Sequence, residues 1–138
     1  MQGVLVDSCV ILDIITEDPV WFNWSAEALE NAANNEQLFI NPIIYSEVSI
    51  GYQKIEELEA VLPSNVFVRL NLPWEAAFLA GKAFLKYRKA GGARSLPLPD
   101  FFIGAHAMVS QLQLLTRDPR KFKNYYPKID IISPKSHK

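Results

Sequence analysis

Short runs of apolar residues alternate along this 138-residue chain with longer stretches of helical periodicity. This alternation is typical of βαβ units, in which crossover helices connect parallel strands of one sheet. The predicted strands are "GVLV" (3–6), "LFIN" (38–41), "VFVRL" (66–70), "LLT" (114–116) and "IDIIS" (129–133). We therefore expect an α/β fold with a mainly parallel central sheet, in which 66–70 is a short or edge strand.

Helical patterns fill most of the intervals between these strands. They begin at about Ser8 and at Asp100, and they also cover 21–35, 43–53 with a second helix after it, 73–90 and a short stretch near 119–126. The one clear loop is the Gly- and Pro-rich segment 91–99, and the tail 133–138 is expected to fray. No repeat and no domain boundary is visible, so residues 1–138 are predicted to form a single domain.

The composition is that of a globular protein with a hydrophobic core, at 49% hydrophobic and 21% charged residues. Cys9 is the only cysteine, which excludes an internal disulfide and a Cys-rich zinc site and suits a reducing compartment. No apolar run reaches the roughly 20 residues that span a bilayer. The N-terminus lacks the basic start and cleavage site of a signal peptide. We therefore expect a cytoplasmic protein without a membrane partner.

Three aspartates fall where the predicted strands and helices meet. Asp7 ends the first strand, and Asp118 lies two residues beyond "LLT". Ligands of open parallel sheets bind beyond the carboxyl ends of the strands. Asp100 precedes an apolar helix, where it could serve simply as an N-cap, but the start of that helix belongs to the same edge of the sheet.

Glu47 lies on the apolar stripe of its predicted helix, beside Ile43, Ile44 and Val48. A charge that faces the core needs a partner, and Lys54, the nearest basic residue in sequence, is two turns away. A bound cation would explain this placement.

Four carboxylates at one edge, from Asp7, Glu47, Asp100 and Asp118, would repel each other unless a cation compensated their charge. Hard divalent ions such as Mg²⁺ or Mn²⁺ prefer oxygen ligands of this kind. Zinc is disfavoured because no His/Cys cluster is present. Such a site can polarise a phosphate and activate a bound water, and two ions at ~3.5–4 Å can hold both the attacking and the leaving oxygen. The residues therefore predict hydrolysis of phosphodiester bonds.

Four segments resemble the PIN domain, specifically that of VapC-type toxin ribonucleases: "VLVDSCVILDI", "NPIIYSEVSIGY", "LPLPDFFIGAHAM" and "LLTRDPRKFKNYYPKIDIISP". The resemblance spans nearly the whole chain. It implies a three-layer α/β/α fold and a Mg²⁺-dependent endoribonuclease whose metal-binding quartet is Asp7, Glu47, Asp100 and Asp118. It further implies an antitoxin that blocks the site, and a toxin homodimer.

The resemblance also assigns Ser8 and Thr116 to hydroxyl positions beside the metal, although Ser8 could equally cap a turn and Thr116 could equally be a strand residue. His106 is expected to be a hydrogen-bonded core or helix-face residue, and Cys9 a small core residue. Asp13, like Glu17 and Asp18, is expected to be a solvated or helix-end charge.

Two other functions compete with a nuclease. A haloacid-dehalogenase phosphatase needs a second Asp two residues after the first, where this chain has Cys9. A catalytically idle RNA- or protein-binding module is the stronger alternative, since the acidic edge could be a structural metal site or a docking patch.

The near-neutral net charge argues only weakly against a nucleic-acid partner once the quartet is considered separately. The net charge is −1, but without the four site acids 14 basic residues face 11 acidic ones, which leaves +3. Basic residues precede Asp100 and follow Asp118. We expect Arg88, Arg94 and Arg117 to guide RNA phosphates to the metal, although a solvated helix face would show the same pattern.

An aromatic cluster in "VWFNWSAEALENA" predicts a docking site. Trp21 and Trp24 share one helix face, while Phe22 points about 100° away from Trp21. Some aromatic surface should therefore stay outside the core, unless a loop covers it. Because the resemblance implies an antitoxin, we expect an amphipathic antitoxin helix to dock beside Trp21 and Trp24.

Overall fold

A computed structural model describes residues 3–91 and 98–135 of the chain. Its elements, in chain order, are β1 (Val4–Val6), α1 (Ser8–Ile15), α2 (Phe22–Asn35), β2 (Leu38–Ile40), α3 (Pro42–Ser49), α4 (Ile55–Val61), β3 (Phe67–Arg69), α5 (Trp74–Lys89), α6 (Leu98–Val109), β4 (Gln113–Leu115), α7 (Arg120–Lys123) and β5 (Ile131–Ile132). The predicted alternation of strands and helices is confirmed.

The strands form one five-stranded sheet in the order β3-β2-β1-β4-β5, and every pair in it is parallel. The central strand β1 is fully buried, as its uninterrupted apolar sequence predicts. β3 lies at one edge, in agreement with its weaker pattern, and its Arg69 is exposed.

Helices flank this sheet on both sides. The connections from β1 to β2 and on to β3 run in one direction across the sheet, whereas the connection from β3 to β4 returns in the other. Because parallel crossovers are right-handed, the two groups of helices must cover opposite faces. The α/β/α layering is therefore confirmed. The reversal also makes the carboxyl ends of β1 and β4 the topological switch point, where such sheets bind ligands.

The start of α6 differs from the sequence-based expectation. The helix begins at Leu98, so Asp100 lies in its first turn and is not the N-cap. The N–H groups of the first turn make no hydrogen bond within the helix. Pro99, which lacks this group, is therefore tolerated there, and the helix can begin before it. The rest of the predicted loop, 92–97, and the end of the predicted tail, 136–138, lie outside the described residues; 133–135 are irregular.

A buried polar pair holds α3 against α6. Asn41 is the N-cap of α3, and its Oδ1 accepts from the backbone N–H of Ile44 at 2.9 Å. Its Nδ2 must then donate to His106 Nδ1, 2.9 Å away, which requires a neutral imidazole. Burial lowers the pKa of His106, which is 1% exposed. The expectation of a hydrogen-bonded core histidine is confirmed.

A close approach fixes α6 against the segment that contains α7. A Cβ atom on Gly104 would lie 2.6 Å from the ring of Tyr126 and 3.1 Å from the ring of Phe122. Tyr126 also donates its hydroxyl hydrogen bond to the Phe101 carbonyl at 2.9 Å. Glycine therefore allows contact that places the side chains of α7 beside the first turn of α6.

Candidate active site

Asp7 lies at the topological switch point, directly after β1, and only 1% of it is exposed. It occupies the N-cap position of α1, yet its side chain makes no capping hydrogen bond. Instead, its Oδ2 accepts from Thr116 Oγ1 at 2.8 Å and from Cys9 Sγ at 3.4 Å. The carboxylate is therefore oriented by the residue that follows β4 rather than used to begin the helix.

Cys9 contributes a donor to this group. Burial, followed by the nearby Asp7 charge, raises the pKa of its thiol to about 12. The thiol therefore stays protonated at neutral pH and is no nucleophile. The protonated thiol donates a hydrogen bond to Asp7. A haloacid-dehalogenase phosphatase would need its second aspartate at this position.

Glu47 is half-buried on α3. Its hydrogen-bond partner is Ser8, whose Oγ donates to Glu47 Oε1 at 2.7 Å. Lys54, the nearest basic residue in sequence, is not its partner. Burial raises the pKa of Glu47, and the negative charges of Asp7 and Asp100 raise it further against the opposing Ser8 hydrogen bond. Three of the predicted carboxylates are thus close enough to repel one another.

Asp100 is 8% exposed and forms an ion pair with Lys121, with 3.2 Å between Nζ and Oδ1. The pKa of Asp100 is nevertheless raised, because burial and the charges of Asp7 and Asp118 outweigh the ammonium. Sequence reasoning missed Lys121. Its position on the short helix three residues after Asp118 was the available signal, but basic residues are frequent in that segment.

Asp118 is the least enclosed member of the quartet and is exposed. Its backbone N–H donates to Thr116 Oγ1 at 3.1 Å, so Thr116 connects Asp7 and Asp118. Asp118 does not cap the helix that follows it, since Pro119 is the N-cap of α7 and no side chain caps that helix.

The donor set suits a hard divalent cation, because its carboxylate oxygens repel one another across a partly buried edge. Within 3–91 and 98–135, however, no three His, Cys, Asp or Glu side chains converge into a metal-binding group. Each inner carboxylate already accepts a hydrogen bond, Asp7 from Thr116, Glu47 from Ser8 and Asp100 from Lys121. Cation binding would therefore require side chains, and Lys121 above all, to rearrange.

The segment 4–127 matches the family model described as PIN domain, and it includes all four predicted carboxylates. The chain belongs to the PIN domain family. No curated protein sequence matches it closely enough to count as a relative.

Solved structures share the fold of this PIN domain over nearly its whole length. VapBC2 from Rickettsia felis, bound to a DNA fragment from its promoter, matches with a TM-score of 0.73 at 17% identity, over 96% of this chain and 98% of that chain. VapBC-1 from nontypeable Haemophilus influenzae matches with a TM-score of 0.72 at 20% identity, over 96% and 98%. A toxin–antitoxin complex from Klebsiella pneumoniae matches with a TM-score of 0.70 at 23% identity, over 98% and 100%.

The arginines expected to bind RNA have different environments in the PIN domain. Arg88 is exposed near the end of α5, with its guanidinium 5.8 Å from the Phe84 ring centre. Arg94 lies outside the described residues. Arg117 Nε donates to Asp13 Oδ2 at 2.7 Å, and its guanidinium lies 5.4 Å from the Trp21 ring centre.

The expectation for Asp13 is wrong, because this side chain is 3% exposed and not solvated. It accepts hydrogen bonds from Ser25 Oγ at 2.8 Å and from Arg117. The two donors compensate for burial of the charge and join α1 to α2 and to the segment after β4.

Trp21 and Trp24 are both half-buried, and their rings meet edge-to-face with centres 6.3 Å apart. Trp24 packs against the core and lines a cleft of about 420 Å³ between α2 and the β5 edge, together with Ala28 and Ile132. Part of the aromatic cluster therefore remains at the surface, as the helical spacing predicts.

The most exposed aromatic side chains lie elsewhere on the PIN domain, on α5. Trp74 is 87% and Phe78 69% exposed, and Leu85 continues the row. Sequence reasoning missed this row because α5 buries mainly small alanines, Ala76, Ala80 and Ala83, together with Tyr87, and leaves these larger apolar side chains outside. No helix among the described residues is long and apolar enough to cross a membrane.

Proposed function

We propose that this PIN domain is a Mg²⁺- or Mn²⁺-dependent endoribonuclease and the toxin of a toxin–antitoxin pair. The observation that carries the proposal is the group of Asp7, Glu47 and Asp100 at the switch point, where buried Asp7 and Asp100 both raise the pKa of Glu47 and Asp7 also raises the pKa of Asp100. The fold that the chain shares with VapBC structures supports the toxin assignment.

In this proposal Asp7, Glu47, Asp100 and Asp118 hold the cation, with Asp7 and Asp100 as direct ligands. A bound divalent ion would polarise the scissile phosphate and lower the pKa of the water that attacks it. The chain itself supplies orientation. Thr116 fixes Asp7, and Ser8 fixes Glu47, as outer residues commonly do for carboxylate ligands.

RNA is proposed to approach along the basic surface that precedes Asp100. Arg88 is exposed and able to contact phosphates, and Arg94 belongs to the same basic segment. Arg117 remains a prediction, and a phosphate would have to compete for it with Asp13. These contacts would position the RNA without reading its sequence.

Two protein partners complete the proposal. An amphipathic antitoxin helix docks beside Trp21 and Trp24, where aromatic surface is available next to an apolar cleft. A second copy of the chain covers the row of Trp74, Phe78 and Leu85 on α5, since a contiguous exposed apolar surface is typical of a protein–protein interface. Light scattering tests the homodimer, and a monomer mass at high concentration would contradict it. The proposed compartment is the cytoplasm.

The decisive experiment removes the metal. The purified protein is incubated with structured RNA in Mg²⁺ or Mn²⁺, with EDTA, and with EDTA followed by excess Mn²⁺. We expect cleavage only in the first and third samples. Asp100→Asn protein, prepared in parallel, reveals any contaminating nuclease.

The alternative is a catalytically idle RNA- or protein-binding PIN module. It is favoured by the Lys121–Asp100 ion pair and by the lack of three converging ligands among the described residues. Intact RNA in every metal-containing sample, together with metal-independent RNA binding, would support this alternative over the nuclease.

A further inference from the structure

Lys121 is the one cation that the described structure places among the site carboxylates. Its Nζ lies 3.2 Å from Asp100 Oδ1, and its side chain is only 20% exposed. Burial lowers the pKa of Lys121, but the charges of Asp7 and Asp100 more than offset this effect and raise it. The ammonium, like that of an ordinary lysine, is charged at neutral pH, and it forms its ion pair with Asp100.

The backbone beneath Lys121 is fixed. Phe122 is fully buried, and Lys123 Nζ donates to the Ile129 carbonyl at 2.9 Å. Gly104 brings this segment against α6, so the Lys121 side chain starts from a defined point near the first turn of that helix. Only rotation of the side chain can move the ammonium away from Asp100.

Charge compensation then has two alternative sources. With Lys121 in place, the group of Asp7, Glu47 and Asp100 carries a formal charge of −2, and without it −3. A divalent ion that binds the same carboxylates meets a weaker negative field while the ammonium stays, and it shares the Asp100 carboxylate with Lys121.

We infer that Lys121 is an internal counter-ion that stabilises the metal-free acidic group and competes with the divalent cation for it. Lys121 thus sets how much free metal the protein needs, and it is a positioning residue rather than a catalytic one. This inference rests on the metal site of the proposed function.

The test measures Mn²⁺ affinity by calorimetry or electron paramagnetic resonance, without RNA. Lys121→Met is expected to bind Mn²⁺ on the order of tenfold more tightly, which corresponds to about 1.4 kcal/mol. Lys121→Arg keeps the charge and should retain the wild-type affinity. Arg120→Met is the matched control, because it removes an equal charge from an exposed position of the same helix, where the described structure shows no ion pair.

Thermal unfolding in EDTA gives a second measurement. Lys121→Met is expected to melt a few degrees below the wild type, since the carboxylates lose their counter-ion, and saturating Mn²⁺ should remove most of this difference. A lower melting temperature with unchanged or weaker Mn²⁺ affinity would overturn the inference, because it would leave Lys121 a purely structural role.

Asp100→Asn separates this inference from the proposed function. If Asp100→Asn loses Mn²⁺ binding while Lys121→Met binds like the wild type, only the counter-ion role is wrong. If Mn²⁺ binds the wild type and Asp100→Asn equally, or binds neither the wild type nor Lys121→Met, the metal site and the counter-ion both fail. Mn²⁺ binding that appears only in Lys121→Met supports competition.

Discussion

Each inner carboxylate of the site is held by a donor from another part of the chain. Thr116 donates to Asp7 across 109 positions, Ser8 to Glu47 across 39, and Lys121 to Asp100 across 21. Each carboxylate side chain that is held in this way has less rotamer freedom even before a metal ion binds. The orientation of each carboxylate therefore depends on contacts between different helices and strands.

Substitution of Asp100 by Asn is expected to separate activity from folding. Loss of residues that merely support ligands costs about 10–100-fold in metal affinity or activity, so loss of a direct ligand should reduce RNA cleavage by at least ~100-fold. Because the pKa of Asp100 is raised, its charged form is not favoured by folding, and the variant should remain folded at pH 7.5.

Exposed Asp130 provides the matched control, since Asp130→Asn makes the same chemical change away from the site. Cleavage rates and circular dichroism of both variants are compared with the wild type. Full activity in Asp100→Asn would remove Asp100 from the site.

The sequence predicts where a candidate site residue lies wherever the end of a strand decides its position. Asp7 and Thr116 follow apolar runs, and adjacent parallel strands bring them together without further information. Lys121 shows where this reasoning stops. Its role depends on how closely Gly104 lets α6 approach α7, which is a packing distance with no periodic pattern in the sequence.

Among the elements, α3 and α6 depend on the buried pair of Asn41 and His106. Glu47 lies on one of these helices and Asp100 on the other, so the pair also sets the spacing of two carboxylates. The sequence predicted that both helices exist from their apolar stripes, but it extended α3 to residue 53, whereas the helix ends at Ser49. The sequence did not predict that Leu98 and Pro99 belong to α6, because proline is typical both of loops and of the first turn of a helix.

This pair predicts acid sensitivity. Burial lowers the pKa of His106, so below the ordinary His value of about 6.5 the unfolded chain binds a proton that the folded protein does not. Stability from this group is therefore complete above that pH and is lost as the pH falls below it, by at most about 1.4 kcal/mol per pH unit. Glu47 and Asp100, whose pKa values are raised, act in the opposite direction.

Comparison with His106→Gln isolates the histidine contribution, because the carboxylates are common to both proteins. Between pH 7 and pH 5, the free energy of unfolding in urea should fall further in the wild type than in His106→Gln. His137→Gln, at the only other histidine, should behave like the wild type. A pH-independent difference between wild type and His106→Gln would contradict the assignment.

Helix α2 offers the second prediction at this scale. Trp21→Ala and Trp24→Ala proteins should fold and cleave RNA but bind the cognate antitoxin at least about 30-fold more weakly, as expected for aromatic anchors worth ~2 kcal/mol. Val20→Ala, at a neighbouring residue that is 75% exposed, is the control for local disturbance. Calorimetric affinities that match the wild type in both Trp variants would exclude this docking site.

At the scale of the whole molecule, net charge conceals an uneven distribution. Acidic residues gather at the switch point, while exposed Arg88 and the segment that contains Arg94 add positive charge. The near-neutral total therefore does not argue against a polyanionic substrate, since phosphates respond to the local field.

Reversal of both charges, Arg88→Glu with Arg94→Glu, should weaken RNA binding and its salt dependence. Binding is measured in the Asp100→Asn background, so that RNA stays intact. Each lost phosphate contact should reduce the slope of log K against log salt by about 0.7 for single strands.

The control reverses the charges of Lys128 and Lys135. These two residues line clefts with Glu36 at the end of the sheet opposite the acidic site. An unchanged salt slope in the arginine double variant, or an equal loss in the lysine double variant, would refute guidance by this surface.

The adjacency of β1 and β4 has a consequence for biosynthesis. Asp7 leaves the ribosome well before its hydrogen-bond donor Thr116 and the counter-ion Lys121, which are added more than a hundred positions later. A nascent chain can therefore build β1 and β2 while its acidic edge is still without the residues that orient it. In the proposed nuclease, the ribosome and messenger that produce it are exposed to a competent active site only after translation has passed Asp118, the last of the proposed ligands.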